Sequence, residues 1–229
     1  MDKIVIMLEL QQQLNDSTNG KDWTSGVSKN SKEINWKRCI YMECAEMIDS
    51  FAWKHWKNID AQSDWNNLKI EVVDVWHFIL SLAIEENTKH GQLGFEDLAN
   101  EICSVSSYAA TTKQNESYST QKEIIEQVEF LMLDALKREG FTLFAMMEHF
   151  FTLVKMSGLD IVSLYRLYVG KNILNQFRQD HGYKDGTYIK VWNGQEDNVV
   201  MKHIWEVDGD IAPELLYEKL QEKYENLEA

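Results

Sequence analysis

One proline in 229 residues, Pro213, is the feature that most narrows what this chain can fold into. Proline and glycine stop helices and turn strands, and only eleven glycines accompany it. So few breakers over this length favour long helices over many short strands joined by turns. The hydrophobic share, 44%, suffices for one large core, or for a core with a mobile extension. No run of about 18 apolar residues occurs, so a membrane span is not expected. The opening MDKIVIMLEL lacks the long apolar stretch and small-residue cleavage site of a secretory signal. Cys39, Cys44 and Cys103 form an odd set without metal-type spacing, which implies reduced thiols packed in a cytoplasmic protein.

Apolar residues at helical spacing predict a first helix over residues 2–15, then a turn-rich loop, NDSTNGKDWTSGVSKNSKEIN. A long helix follows from Trp36 to Lys57, and another from Trp65 to Thr88 with Ser63 or Asp64 as its N-cap. Further helices are expected over 95–110, 121–138, 141–156 and 161–178, with Gly140 and Gly158 as stops and TTKQNESYST as a loop. From His181 the pattern changes. Asp185-Gly186, between Tyr183 and Tyr188, reads as a hairpin turn or as part of a long functional loop. A last helix is placed at Pro213. The expected fold is all-α: a helical bundle of antiparallel helices in one domain over 1–229, with a C-terminal loop or hairpin insertion and further helices.

Two pairs of acids stand inside this helical pattern. Residues 70–84, IEVVDVWHFILSLAI, are apolar on nearly every side, yet contain Glu71 and Asp74. An ionised carboxylate is costly to hold out of water without a compensating charge. The preceding helix carries Glu43 and Glu46. Each pair is spaced i, i+3, on one face of one helix, and consecutive helices joined by a short connection pack antiparallel. Four carboxylates can then converge, an arrangement that hard divalent cations such as Mg²⁺ or Mn²⁺ relieve. Asp49 is one step further along and a weaker candidate. The plain readings are a solvated E-x-x-E face and a buried salt bridge for E-x-x-D. Two chemistries suit a metal here. One is a di-iron carboxylate bundle, for which Asp74-Val75-Trp76-His77 imitates one ligand unit but no second appears. The other is metal-assisted attack of water on a phosphate.

The charge distribution favours the second. A formal net charge of −14 excludes the basic footprint of a nucleic-acid polymer binder. Between Tyr165 and Trp192, however, Arg166, Lys171, Arg178, Lys184 and Lys190 face only Asp180 and Asp185. Lys171, Asn175 and Arg178 lie at i, i+4 and i+7, one continuous face, and Lys184 and Lys190 follow. Such a patch suits the oxygens of a small anion, a polyphosphate. Gly170, in mid-helix, marks a close approach. Gln11 and Asn15, also i, i+4, with Asn19 behind them, offer amides that match the acceptor–donor–acceptor edge of uracil. Trp53, Trp56, Trp76 and Phe78 are available to stack on a base, although core packing is the default for each.

The stretches LQQQLND with Asn19-Gly20, WKRCIYMECAEMIDSFAWKHWKN, IEVVDVWHFILS and GKNILNQFRQDHGYKDGTYIKVWNG resemble the dimeric all-α dUTPases, relatives of the MazG-type nucleotide pyrophosphohydrolases. The resemblance implies a homodimer that hydrolyses dUTP, and dUDP, to dUMP with release of pyrophosphate or phosphate. Glu43, Glu46, Glu71 and Asp74 would hold two or more Mg²⁺ ions, with Glu46 deprotonating the attacking water. Lys171, Asn175, Arg178, Lys184 and Lys190 would hold the phosphates, and Gln11, Asn15, Asn19 and Trp53 the uridine. Residues 181–198 would form a loop mobile over the active site. Residues 89–150 and the last thirty carry no recognisable motif. A less selective MazG-type hydrolase, a di-metal redox protein and a non-catalytic helical module remain as alternatives.

Overall fold

The computed structural model describes residues 1–57, 60–208 and 213–227, and its fold is all-α with one small strand pair. The chain forms two compact units, Met1–Tyr165 and Arg166–Ala229. The first contains α1 (Asp2–Asn19), α2 (Trp36–Asp49), α3 (Trp65–Glu86), α4 (Phe95–Cys103), α5 (Tyr108–Thr111), α6 (Gln121–Leu136) and α7 (Leu143–Met156). It also holds the start of α8 (Ile161–Asp180). No helix among the described residues is long and apolar enough to cross a membrane.

Side-chain caps fix where these helices start. Asn35 accepts the backbone N–H of Arg38 at the head of α2. Of the two expected caps for α3, Asp64 performs the task, accepting from the N–H groups of Asn66 and Asn67. Thr120 and Glu123 form a reciprocal capping box on α6. Gly158 ends α7 as expected. It takes φ +70°, its N–H reaches the Lys155 carbonyl, and the Leu159 N–H reaches that of Val154.

Two predicted helices are shorter than their periodicity implies. α2 stops at Asp49 rather than Lys57 because the chain beyond it is claimed by the core. Phe51 is buried, edge-on to Trp65 at 5.4 Å, and the Ser50 carbonyl accepts from the Asp64 N–H. The helix expected over 95–110 breaks after Cys103, where Glu148 of α7 takes the N–H groups of Ser106 and Ser107 at 2.6 and 2.9 Å.

Side-chain pairs give the helix directions. Ser50, at the end of α2, bonds Asn67 near the start of α3, while Trp36, at its start, stacks on Phe78. The two helices therefore run antiparallel. Met7, Gln11 and Asn15 of α1 meet Trp76, His77 and Ser81 of α3 in the same order, so that pair is parallel. Trp76 completes the centre by stacking at 4.7 Å on Phe150 of α7.

In the second unit the rest of α8 joins β1 (Val191–Trp192), β2 (Gln195–Glu196), α9 (Asp197–Asp208) and α10 (Pro213–Glu225). Leu174, Phe177, Trp192, Met201, Ile204, Leu216 and Leu220 form its core. The strands pair antiparallel, but not around Asp185-Gly186. The hairpin turn is Asn193-Gly194, with φ +48° and +82°, the left-handed pair that a tight two-residue hairpin requires. Asp185 and Gly186 instead continue helix-like turns past α8, their N–H groups bonded to Gly182 and Tyr183. α9 was not foreseen. The close approach marked by Gly170 is to α9: a Cβ there would lie 2.7 Å from the Met201 sulfur.

Candidate active site

The antiparallel packing sets the middle of α2 beside the first half of α3, and with it three of the four predicted acids. Carboxylate oxygens of Glu43, Glu46 and Glu71 all lie within 4.8 Å of one another. Glu46 is exposed, Glu43 half-buried, and Glu71 only 7% exposed. Asp74, half-buried and one turn along α3, is not within that group. Asp49 turns away. It pairs with Lys54 at 2.6 Å and accepts from the Trp53 indole at 2.9 Å, and these bonds hold its carboxyl below the usual carboxylate range.

The local sequence explains the convergence. Cys44 and Met47 bury one side of α2, and Val72, Val73, Val75 and Trp76 bury most of α3. The acids are thereby confined to the remaining stripe. Burial, assisted by the charge of Glu43, pushes the Cys44 thiol far above its normal range, so Cys44 packs as a neutral thiol. Three hard oxygen donors on two rigid helices suit a divalent cation, and their mutual repulsion is what such a cation relieves. Among the described residues this cluster contains no histidine.

The predicted uridine residues are divided. Gln11 and Asn15 are 2% and 3% exposed, in a chain of hydrogen bonds between α1 and α3. Gln11 donates to Asn15 at 3.2 Å and its carbonyl oxygen meets His77 Nδ1 at 2.7 Å. Asn15 donates to Ser81 at 2.9 Å. Asn19, half-buried, ends α1 and accepts from the Lys29 N–H. Trp53 is elsewhere in the first unit. With Ala45, Ile48, Asp49, Lys54, Ile125 and Glu129 it lines an open groove of about 470 Å³. Trp53 and Trp56 are exposed, against the core-packing default, and meet edge to face at 5.6 Å; Trp76 is core-packed, and half-buried Phe78 stacks on Trp36.

The predicted phosphate residues lie in the second unit, and three of them meet. Arg178 donates to Asn175 at 3.1 Å, and both Arg178 and Lys171 reach the side-chain oxygen of Asn198, at 3.4 and 3.0 Å. Lys184 and Lys190 are exposed, Lys190 at 3.6 Å from Glu196.

Arg178 also makes a contact the sequence reading missed. Asp197, fully buried, accepts from Arg178 Nε and Nη2 at 2.7 Å each, from the Tyr188 hydroxyl at 2.8 Å and from the Asn198 N–H at 2.8 Å. Burial opposes ionisation of Asp197, but Arg178, Tyr188 and the Asn198 N–H outweigh it and hold its carboxyl below the usual range. A buried arginine demands an acid, and that demand was the available signal. Nothing in the spacing said which of the acids after Trp192 would answer.

No curated protein matches the chain in a comparison of whole sequences. A family model described as dUTPase matches residues 3–183, four-fifths of its length, through α1–α8 and the first residues beyond. The cluster of Glu43, Glu46 and Glu71 lies inside that span; Lys184, Lys190, Tyr188 and Asp197 lie past it. The chain belongs to the all-α dUTPase family, and its activity is that of a dUTP diphosphatase.

Proposed function

We propose that the chain cleaves dUTP between the α- and β-phosphates, giving dUMP and pyrophosphate, and dUDP to dUMP and phosphate. The observation that carries this reading is the convergence of Glu43, Glu46 and Glu71 across two antiparallel helices. With Asp74, these residues would hold two or more Mg²⁺ ions, or Mn²⁺. Such ions supply neutralisation of the phosphate charge and acidify a neighbouring water. Glu46, the exposed member of the group, orients that water and accepts its proton as it attacks the α-phosphorus. Glu43 and Glu71 are held by helices packed on the core, so the carboxylates are in place before substrate arrives.

Lys171, Asn175, Arg178, Lys184 and Lys190 take the phosphate-holding role, the arginine by hydrogen bonds and the lysines as point charges. Gln11, Asn15, Asn19 and Trp53 take the uridine. The two buried amides already satisfy each other, His77 and Ser81, and exchange some of those bonds for the base. The redox alternative calls for histidine beside the carboxylates, whereas His77 meets Gln11. A homodimer in the cytoplasm completes the proposal. Free cysteines support the compartment, and the exposed apolar Phe130, Leu133 and Leu136 of α6 support a second copy.

The test is pyrophosphate release from dUTP with Mg²⁺, beside dTTP, dCTP and UTP, with phosphate release from dUDP. Magnesium-dependent cleavage confined to dUTP and dUDP is the expected result. Equal cleavage of all four triphosphates would remove Gln11 and Asn15 as selectors. No cleavage with either Mg²⁺ or Mn²⁺ would overturn the reading.

A further inference from the structure

The contact between Arg178 and Asp197 has a definite handedness. A guanidinium carries five N–H donors in a planar fork. Asp197 takes two of them from the side, at Nε and Nη2. The adjoining outer edge faces the neutral amide oxygens of Asn175, reached by Nη1, and of Asn198, reached by Nη2. Lys171 converges on that same Asn198 oxygen. Both oxygens of Asp197 are fully engaged, each accepting one bond from Arg178 and one from a second donor, Tyr188 or the Asn198 N–H. Pulling Arg178 off Asp197 would strand a wholly buried carboxylate, which is costly. Exchanging a neutral amide oxygen for an anionic one on the outer edge strengthens the hydrogen bonds instead. The arrangement therefore has a permanent side and an exchangeable side.

We infer that Asp197 is a positioning residue for phosphate binding. It locks Arg178 side-on, so that the outer N–H groups, together with Lys171, are presented to a phosphate oxygen at the point where the Asn198 amide oxygen now sits. Asp197 also neutralises Arg178, which shares its helix face with Lys171. Tyr188 couples the segment after α8 to the lock through its hydroxyl. The inference rests on the proposed assignment of Arg178 and Lys171 to the phosphates.

The test titrates pyrophosphate with Mg²⁺ into the full chain by calorimetry and measures kcat and KM for dUTP. It compares wild type with Asp197→Asn, Arg178→Gln, the double variant and Tyr188→Phe. Asp197→Asn is expected to weaken pyrophosphate about tenfold and to raise KM more than it lowers kcat. In the Arg178→Gln background it is expected to add nothing, because it acts through Arg178. An affinity that Arg178→Gln leaves unchanged would remove the phosphate assignment itself. A loss in Arg178→Gln with none in Asp197→Asn would overturn the positioning role alone, as would an equal loss from Asp197→Asn in both backgrounds. If Asp197→Asn does not fold, Tyr188→Phe carries the test, with a smaller loss that Arg178→Gln again abolishes.

Discussion

The two acid sites of this molecule are built on opposite principles. Between α2 and α3, Glu43, Glu46 and Glu71 are gathered with one another, acid against acid. In the second unit a single acid, Asp197, is more deeply buried, yet it is gripped by a guanidinium, a phenol and a backbone N–H. Packing carboxylates together opposes folding, and this protein does so between two helices that pack on its core. Surrounding one carboxylate with donors supports folding. In the proposed reading the first pattern is a site that takes a cation from solution, and the second a scaffold that orients a cation of the protein's own. Removing one acid from each should therefore move stability in opposite directions.

The largest expected effect is on catalysis at the first site. Glu46→Gln should lower kcat about a hundredfold to ten-thousandfold. Its melting temperature should not fall below that of wild type, since the side chain is exposed. A near-wild-type rate would refute its role as base. Next comes Asp197→Asn, which should cost about 3 kcal/mol in urea unfolding, because Arg178 keeps a buried charge without its counter-ion. An unchanged midpoint would show the contact to be dispensable.

Glu71→Gln should do the reverse on a smaller scale. Relief of repulsion should raise the metal-free melting temperature by about 2–4 °C, equivalent to about 1 kcal/mol. The same variant should lose the further rise that Mg²⁺ is expected to give the native protein. A lower metal-free melting temperature would erase the contrast between the two sites.

The smallest effect is the acid limb of stability. Asp160 caps α8, accepting from the N–H groups of Val162, Ser163 and Asn115. Burial opposes its ionisation, but bonds from Ser163, Asn115 and Val162 hold its carboxyl below the ordinary 3.8. Asp197 is depressed as well. A carboxyl with a lowered folded-state pKa stabilises fully above its unfolded value, and loses that contribution as pH falls through the folded one. Unfolding followed from pH 6 downward should thus steepen below about pH 4. Asp160→Asn should flatten that limb, and an unaltered slope would dismiss its share.

What the sequence made legible follows from distance along the chain. The i, i+3 spacing of Glu43 with Glu46 and of Glu71 with Asp74 is local, and periodicity alone put each pair on one face. The stop at Gly158 and the start at Asp64 are local too, and both held. The short end of α2 was not legible, because Phe51 is drawn into the core by Trp65, a partner fourteen positions on. The sequence reading puts a hairpin at Asp185-Gly186, but among the described residues the flanks that pair are Val191 with Glu196 and Trp192 with Gln195, so the turn falls at Asn193-Gly194. Asp197 was hidden for the same reason. Its role exists only through Arg178, nineteen residues earlier.

The most direct test of the central claim is Mn²⁺ binding by paramagnetic resonance, in wild type and in Glu71→Gln, without nucleotide. Saturable binding in wild type that is weakened at least about tenfold, or about 1.4 kcal/mol, in Glu71→Gln is the predicted result. Equal binding by both proteins, or none by either, would contradict a metal site built from Glu43, Glu46 and Glu71.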